Sequence, residues 1–247
     1  MNTAMPLKFI GLSGPSSSGK TTLAFLIKHI LPNVAFILHE DDFCKEFEDI
    51  PTVNGYLDCD GPAAIDTEEL CDVLEYMKLH DGAPPSDFES WQEGVFPGRE
   101  EKALATVPSE LIEKLKTKYQ GYDGDTRLVL VDGFLLYHNP AIMERLDIKL
   151  FFRLSKKVAK ERRMSRQGYG IEAKPDEFWK TEDYFEKIVW MNYSQQHGSF
   201  LLNHDVEGDV DESVCESEGI QVKPAMDRSV EECLTWALER IVEGIKT

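Results

Sequence analysis

Gly14-Pro15-Ser16-Ser17-Ser18-Gly19-Lys20-Thr21 is the stretch on which the fold turns. It fits G-x-x-x-x-G-K-[ST], a loop whose glycines let backbone N–H groups turn inward around phosphate oxygens. Lys20 has the reach for the β- and γ-phosphates, and the Thr21 hydroxyl can ligate Mg²⁺. Ahead of the loop, Leu7-Lys8-Phe9-Ile10-Gly11-Leu12 reads as a short buried strand. Behind it, Leu23, Ala24, Ile27, Ile30 and Leu31 recur at helical spacing, and Pro32 ends the pattern. Strand, glycine loop and helix is the setting that a phosphate site needs, because the helix N-terminus adds partial positive charge. Gly14, Ser16, Ser17, Ser18, Gly19, Lys20, Thr21 and Thr22 are therefore the candidate ATP-binding residues of a P-loop.

Further apolar runs at Val34–Leu38, Leu128–Val131 and Lys149–Arg153 join Phe9–Leu12 as predicted strands. Helical patterns lie near Gly19–Leu31, Thr67–Leu79, Pro108–Tyr119, Lys156–Arg166, Asp183–Leu202 and Ser229–Ile245. Strands alternating with helices predict an α/β fold of three layers, helices on both faces of a central, mainly parallel sheet. The whole chain, 1–247, reads as one P-loop domain. Two segments look irregular: His80–Pro97, and Asp205–Gly219 with seven acidic residues and no basic one. The second reads as a solvated surface loop or hairpin.

The net charge of −18, from 27 basic and 45 acidic residues, argues against a nucleic-acid surface, which normally needs a basic face. A nucleotide site needs only local positive charge. Cys44, Cys59, Cys71, Cys215 and Cys233 are scattered and odd in number, which predicts free thiols in a reducing compartment. Neither a signal sequence nor a membrane span is expected. The location expected is cytoplasmic, with nuclear presence left open. The sequence leaves the oligomeric state open.

Three more constellations complete the site. His39-Glu40-Asp41-Asp42-Phe43 follows the run Val34–Leu38 directly, at the strand end where open α/β sheets bind ligands. A kinase acting on a hydroxyl wants a carboxylate within reach of that hydroxyl, and Asp41 or Asp42 can serve. Arg127-Leu128-Val129-Leu130-Val131-Asp132 ends an apolar run in an acid, as a Walker B strand does, so Asp132 is a candidate for Mg²⁺ or its water shell. Lys156, Lys157, Lys160, Arg162, Arg163 and Arg166 crowd into eleven residues opposed only by Glu161. Gly168-Tyr169-Gly170 follows. Arg162, Arg163 and Arg166 are read as arginines of a helical lid, about residues 162–180, that closes over ATP.

With these in place, the chain resembles the nicotinamide riboside kinases, the fungal members most closely, within the uridine-kinase-like group of P-loop kinases. The resemblance spans residues 7 to about 210. It rests on Leu12-Ser13-Gly14, Ser17-Ser18-Gly19-Lys20-Thr21-Thr22, His39-Glu40-Asp41-Asp42-Phe43 and Val131-Asp132-Gly133-Phe134. Arg162-Arg163-Met164-Ser165-Arg166-Gln167-Gly168-Tyr169 and Asp205-Val206-Glu207-Gly208 extend it. The resemblance implies that Asp41 is the catalytic base on the ribose 5′-hydroxyl. It implies that Asp60 grips the 2′- and 3′-hydroxyls, that Arg163 joins that network and that Tyr169 walls the pyridinium ring. Thr21 and Asp132 become the Mg²⁺ partners. The chain departs from the animal members at Cys59, where they carry a tyrosine, and at Asp132, where they carry a glutamate. At Cys59 an aromatic contact is either lost or supplied from elsewhere, with Tyr56 the candidate. Gly168 is an insertion before Tyr169.

The expected activity is ATP-dependent phosphorylation of nicotinamide riboside, and of nicotinic acid riboside as well, to the mononucleotide for NAD salvage. The partners expected are that nucleoside and ATP, with Mg²⁺ as cofactor. One rival is a uridine/cytidine kinase or another P-loop small-molecule kinase. Another is a non-catalytic nucleotide switch, for which a base beside the γ-phosphate has no purpose.

Overall fold

The structure, a computed structural model, describes residues 6–90, 98–121, 126–165, 178–223 and 225–246. In chain order its elements are β1 (Leu7–Ser13), α1 (Lys20–Ile30), β2 (Val34–His39), β3 (Thr52–Val53), β4 (Tyr56–Leu57), α2 (Thr67–Leu79), α3 (Arg99–Leu104) and α4 (Ser109–Tyr119). There follow β5 (Arg127–Gly133), α5 (Pro140–Met143), β6 (Ile148–Phe151), α6 (Lys156–Ser165), α7 (Glu182–Tyr184), α8 (Trp190–His197), α9 (Glu212–Glu218), β7 (Ile220–Val222) and α10 (Val230–Ile245). Five strands form one sheet in the order β2-β5-β1-β6-β7, every neighbouring pair parallel.

The period of two along each strand divides the core. Ile10, Leu12, Leu128, Leu130, Ile148 and Leu150 face one side, against α1, α4 and α10. Phe9, Val129, Val131 and Phe151 face the other, against α2, α5 and α8. Both faces are covered, so the strands read as unbroken apolar runs. This is the three-layer α/β/α arrangement expected from the sequence.

Register matters most at the carboxyl ends. Leu12 pairs with Asp132 and Ser13 with Gly133, while His39 also pairs with Asp132. The ends of β1, β5 and β2 therefore lie side by side, and the loops carrying Gly14–Thr21, Asp132 and Glu40–Phe43 leave the sheet together.

Two expectations are corrected. The acidic segment is not wholly loop: Glu212–Glu218 is a helix, its first turn capped by the Asp211 side chain on Val214 N–H and its end by left-handed Gly219. A fifth strand follows it at once. The helix expected over Asp183–Leu202 is broken by a π turn at Phe185–Val189 and gives way at Gly198–Phe200 to a 3₁₀ turn.

A small hairpin was not anticipated. Thr52 pairs with Leu57 and Val53 with Tyr56 across an Asn54-Gly55 turn. Both turn residues have positive φ, 51° and 84°, which fits the type I′ geometry favoured by Asn-Gly. The hairpin is seated on the broken helix. Asn54 Nδ2 donates to the Lys187 carbonyl at 3.1 Å, Tyr56 Oη to Asp183 Oδ2 at 2.6 Å, and Asn192 Nδ2 to Asp58 Oδ1 at 2.7 Å. Among the described residues no helix is long and apolar enough to cross a membrane.

Candidate active site

The phosphate loop begins where β1 ends. Gly14 sits at φ 146°, and a Cβ built there would lie 2.3 Å from the Phe152 carbonyl oxygen, so only glycine fits. Ser17 is held at φ 68°, a strained value for a residue with a side chain. The first turn of α1 carries no acid of its own, so its side chains leave the partial positive charge of the N-terminus in place. Lys20 is buried and folded back on the loop. Its Nζ donates to the Gly14 carbonyl at 2.9 Å and the Pro15 carbonyl at 3.1 Å, with the Ser18 hydroxyl at 3.5 Å.

Thr21 and Asp132, read from separate motifs, meet directly. Thr21 Oγ1 donates to Asp132 Oδ2 at 2.6 Å, and His39 Nδ1 lies 3.1 Å from the same oxygen. Burial works to raise the Asp132 pKa. The bond and charge of His39, then Lys20 and Thr21, outweigh it and hold the group below the ordinary aspartate range. Burial likewise works to lower His39, and Asp132 outweighs it in the upward direction. Both shifts favour an ionised pair.

The two candidate bases separate. Asp42 Oδ1 accepts from the Ser90 hydroxyl at 3.0 Å. Asp41 instead senses Asp132, His39, Lys20 and Asp60 electrostatically. Its surface opens to the cleft, yet protein surrounds it closely enough that desolvation is the first cause raising its pKa, with Asp132 next. Glu40, between His39 and Asp41, turns the opposite way into the protein. Its Oε2 accepts the Leu135 N–H at 2.8 Å, and burial pushes its pKa up to about 7.

Asp60 and Arg163, 103 residues apart, form a two-pronged ion pair, Nη1 to Oδ1 at 2.9 Å and Nη2 to Oδ2 at 2.8 Å. Arg163 is buried in α6 rather than lying on an open face. Its Nε donates to the Trp179 carbonyl at 3.1 Å, and Nη1 also donates to Ser16 Oγ at 2.9 Å. The guanidinium lies 5.8 Å from the Tyr184 ring centre. Tyr56 stacks on Phe178, centroids 6.5 Å apart, and meets Tyr184 edge-on at 5.6 Å. Cys59 is half-buried beside them, its thiol pushed up to about 11 by desolvation and then by Asp60.

Arg162 Nη1 reaches the Ser17 carbonyl at 3.4 Å. Lys156 and Lys160 of the same helix turn elsewhere, Lys156 to Glu186 and Lys160 to Glu182 and Glu186. Arg166 and Tyr169 lie outside the described residues, as does most of the segment read as a lid. Sequence reasoning missed His39, Ser16 as a side-chain partner and Tyr184. His39 stood in the quoted acidic motif, and strand alternation is the signal that separates its direction from that of Glu40.

Among the described residues, no group of three or more His, Cys, Asp or Glu is placed to hold a metal alone. The arrangement instead gathers a phosphate loop, a hydroxyl–carboxylate pair, an acid at the cleft and an arginine-clamped carboxylate.

No protein-family model matches the chain. Individual relatives do. The nicotinamide riboside kinase of Schizosaccharomyces pombe is 31% identical over 243 residues, covering 96% of this chain and 97% of its own. That of Saccharomyces cerevisiae is 30% identical over 222 residues, 85% of each chain. A uridine kinase of Chlamydia pneumoniae is 25% identical over 230 residues, covering 85% of this chain and 93% of its own. With both fungal relatives at 30% identity or more over at least 85% of either chain, this chain belongs to the nicotinamide riboside kinase family.

Proposed function

We infer that the chain transfers the γ-phosphoryl group of ATP to the 5′-hydroxyl of nicotinamide riboside, giving nicotinamide mononucleotide for NAD salvage. The observation that carries the residue assignments is the Asp60–Arg163 clamp standing in the same cleft as Lys20 and Asp41. A carboxylate fixed by a planar guanidinium keeps further lone pairs for two neighbouring hydroxyls, the pattern a ribose diol offers.

The step proposed is an in-line displacement. The bond from the γ-phosphorus to the β–γ bridging oxygen breaks as the bond to the ribose oxygen forms. ADP leaves with the electron pair, and Asp41 takes the hydroxyl proton. Lys20 exchanges the Gly14 and Pro15 carbonyls for phosphate oxygens, and the loop amides and Arg162 offset the spreading negative charge. Desolvation makes Asp41 a better base than an ordinary aspartate.

A hydroxyl and a single carboxylate in contact fit Mg²⁺, which keeps several waters and takes the rest of its ligands from phosphates. Thr21 and Asp132 would hold it, with His39 steadying the aspartate. When bound, Mg²⁺ neutralises phosphate charge. For the ring, the aromatic group of Tyr56, Phe178 and Tyr184 beside Cys59 is the part of the site suited to a pyridinium cation.

The test is Mg·ATP consumption with nicotinamide riboside, nicotinic acid riboside, uridine, cytidine and no acceptor. Turnover confined to the pyridine ribosides is expected. Preference for uridine or cytidine would overturn the ring assignment while leaving Asp41 and Asp60 in their roles. Nucleotide binding without turnover on any acceptor would overturn the kinase reading.

A further inference from the structure

We propose that Ser16 is a positioning residue through which the phosphate loop sets the ribose site, so that nucleotide and nucleoside each tighten the binding of the other. The inference rests on the nucleoside site proposed above and adds a coupling that this site alone does not require.

The physical link is short. Ser16 lies inside the phosphate loop, and its buried hydroxyl accepts from Arg163 Nη1 at 2.9 Å. The same nitrogen donates to Asp60 Oδ1, and Nη2 to Asp60 Oδ2. A guanidinium is rigid and planar, so the direction of its Ser16 contact fixes the plane in which it presents donors to Asp60. The plane of the Asp60 carboxylate in turn sets where its remaining lone pairs point. Trp179 holds the third corner through Nε. Moving Ser16 therefore rotates the carboxylate that meets the diol.

The loop has a reason to move when phosphates arrive. Lys20 Nζ rests on the carbonyls of Gly14 and Pro15, the two residues immediately before Ser16. A triphosphate that draws the ammonium away removes the donor from both carbonyls. Ser17, the next residue, sits at φ 68°, so the loop around Ser16 already carries strain that a changed arrangement can relieve. The loop then has two arrangements that the nucleotide distinguishes, which is the requirement for linkage.

Linkage is reciprocal, so the factor by which nucleotide tightens nucleoside equals the factor by which nucleoside tightens nucleotide. The experiment is calorimetric titration of the full chain with nicotinamide riboside, with and without saturating Mg²⁺ and a non-hydrolysable ATP analogue, then the converse titration. Uridine is run in parallel as a second ribose. The wild-type chain is expected to bind riboside roughly 5- to 50-fold more tightly with nucleotide present, a usual range for such coupling. Ser16→Ala brings that factor to within about twofold of unity. Ser16→Thr, which keeps the hydroxyl, preserves it. A factor of one in the wild type with clear riboside binding overturns the coupling and leaves the functional reading standing. Ser16→Ala that weakens each ligand alone but keeps the wild-type factor also overturns it, because a merely structural serine behaves that way. Binding of uridine but not of nicotinamide riboside overturns the substrate reading instead, and the coupling is then read from uridine. Binding of neither overturns both.

Discussion

Asp41 and Asp60 carry the same charge in one cleft and differ in what surrounds them. Asp41 is exposed to the cleft and desolvated by its surroundings, with the Asp132 charge close by. Its pKa lies above the ordinary 3.8. Asp41→Asn is expected to lower kcat by roughly 10²- to 10⁴-fold, the usual worth of a positioned base, with riboside KM little changed. In the role proposed for Asp41 the active form is the carboxylate, so wild-type kcat/KM is expected to fall as pH drops through that raised pKa. The acid limb should therefore lie above 3.8 and vanish in the variant. An unaltered limb would assign the proton elsewhere. Asp60→Ala belongs to the other class. In the role proposed for Asp60 it removes charge-assisted bonds to the diol and is expected to raise riboside KM roughly 10- to 100-fold. A riboside KM equal to the wild type would place the ribose elsewhere. At this scale the sequence was most legible where backbone geometry demands a residue type. Gly14, Lys20, Thr21 and Asp132 answer to the loop and the strand end. Ser16 was not legible as an arginine partner, because its bond spans 147 residues.

Among elements, the hairpin of β3 and β4 is the piece that hands Asp60 to the cleft, and it owes its place to a helix far along the chain. The buried bond from Asn192 to Asp58 is the innermost tie between them. Burial already raises the Asp58 pKa, with the Asn192 bond working against it. Asn192→Ala leaves that acid without the donor and should cost about 1–3 kcal/mol of stability. It should also raise riboside KM while leaving nucleotide affinity unchanged, measured by titration beside thermal melts. A lower melting temperature with an unaltered KM would mean that the helix does not position the hairpin. The Asn54-Gly55 turn was legible in principle from its dipeptide. The π turn at Phe185–Val189 was not, because apolar residues continue through it at spacings compatible with a regular helix. The helix of Glu212–Glu218 was hidden by its acids, although Asp211 and Gly219 mark both its ends. The three-residue strand Ile220–Val222 is too short to carry a period.

For the molecule as a whole, His197 links pH to stability. It lies beneath Phe151, Tyr193 and Phe200, and burial lowers its pKa from 6.5 to about 3, against a raising bond from the Tyr193 carbonyl. The imidazole is neutral in the fold at any pH where the unfolded chain begins to protonate it. Its contribution is thus full above pH 6.5 and is lost progressively as pH falls from 6.5 toward 3. Denaturant unfolding between pH 6.5 and 5 should show His197→Gln taking up about one proton fewer than the wild type. An identical slope would mean that the imidazole protonates in place. The strand order has a consequence of another kind, in the time dimension of synthesis. β1 and β2 emerge first but do not touch, since β5 lies between them and pairs with both. A nascent chain that has completed β2 must wait roughly 5–20 s, at typical elongation rates, before the strand that joins its halves is made. Through that interval two apolar strands stand with unpaired edges. A fragment ending at residue 121, before β5, should collect in aggregates rather than fold, and the nascent phosphate loop has no sheet to close on until the strand carrying Asp132 arrives.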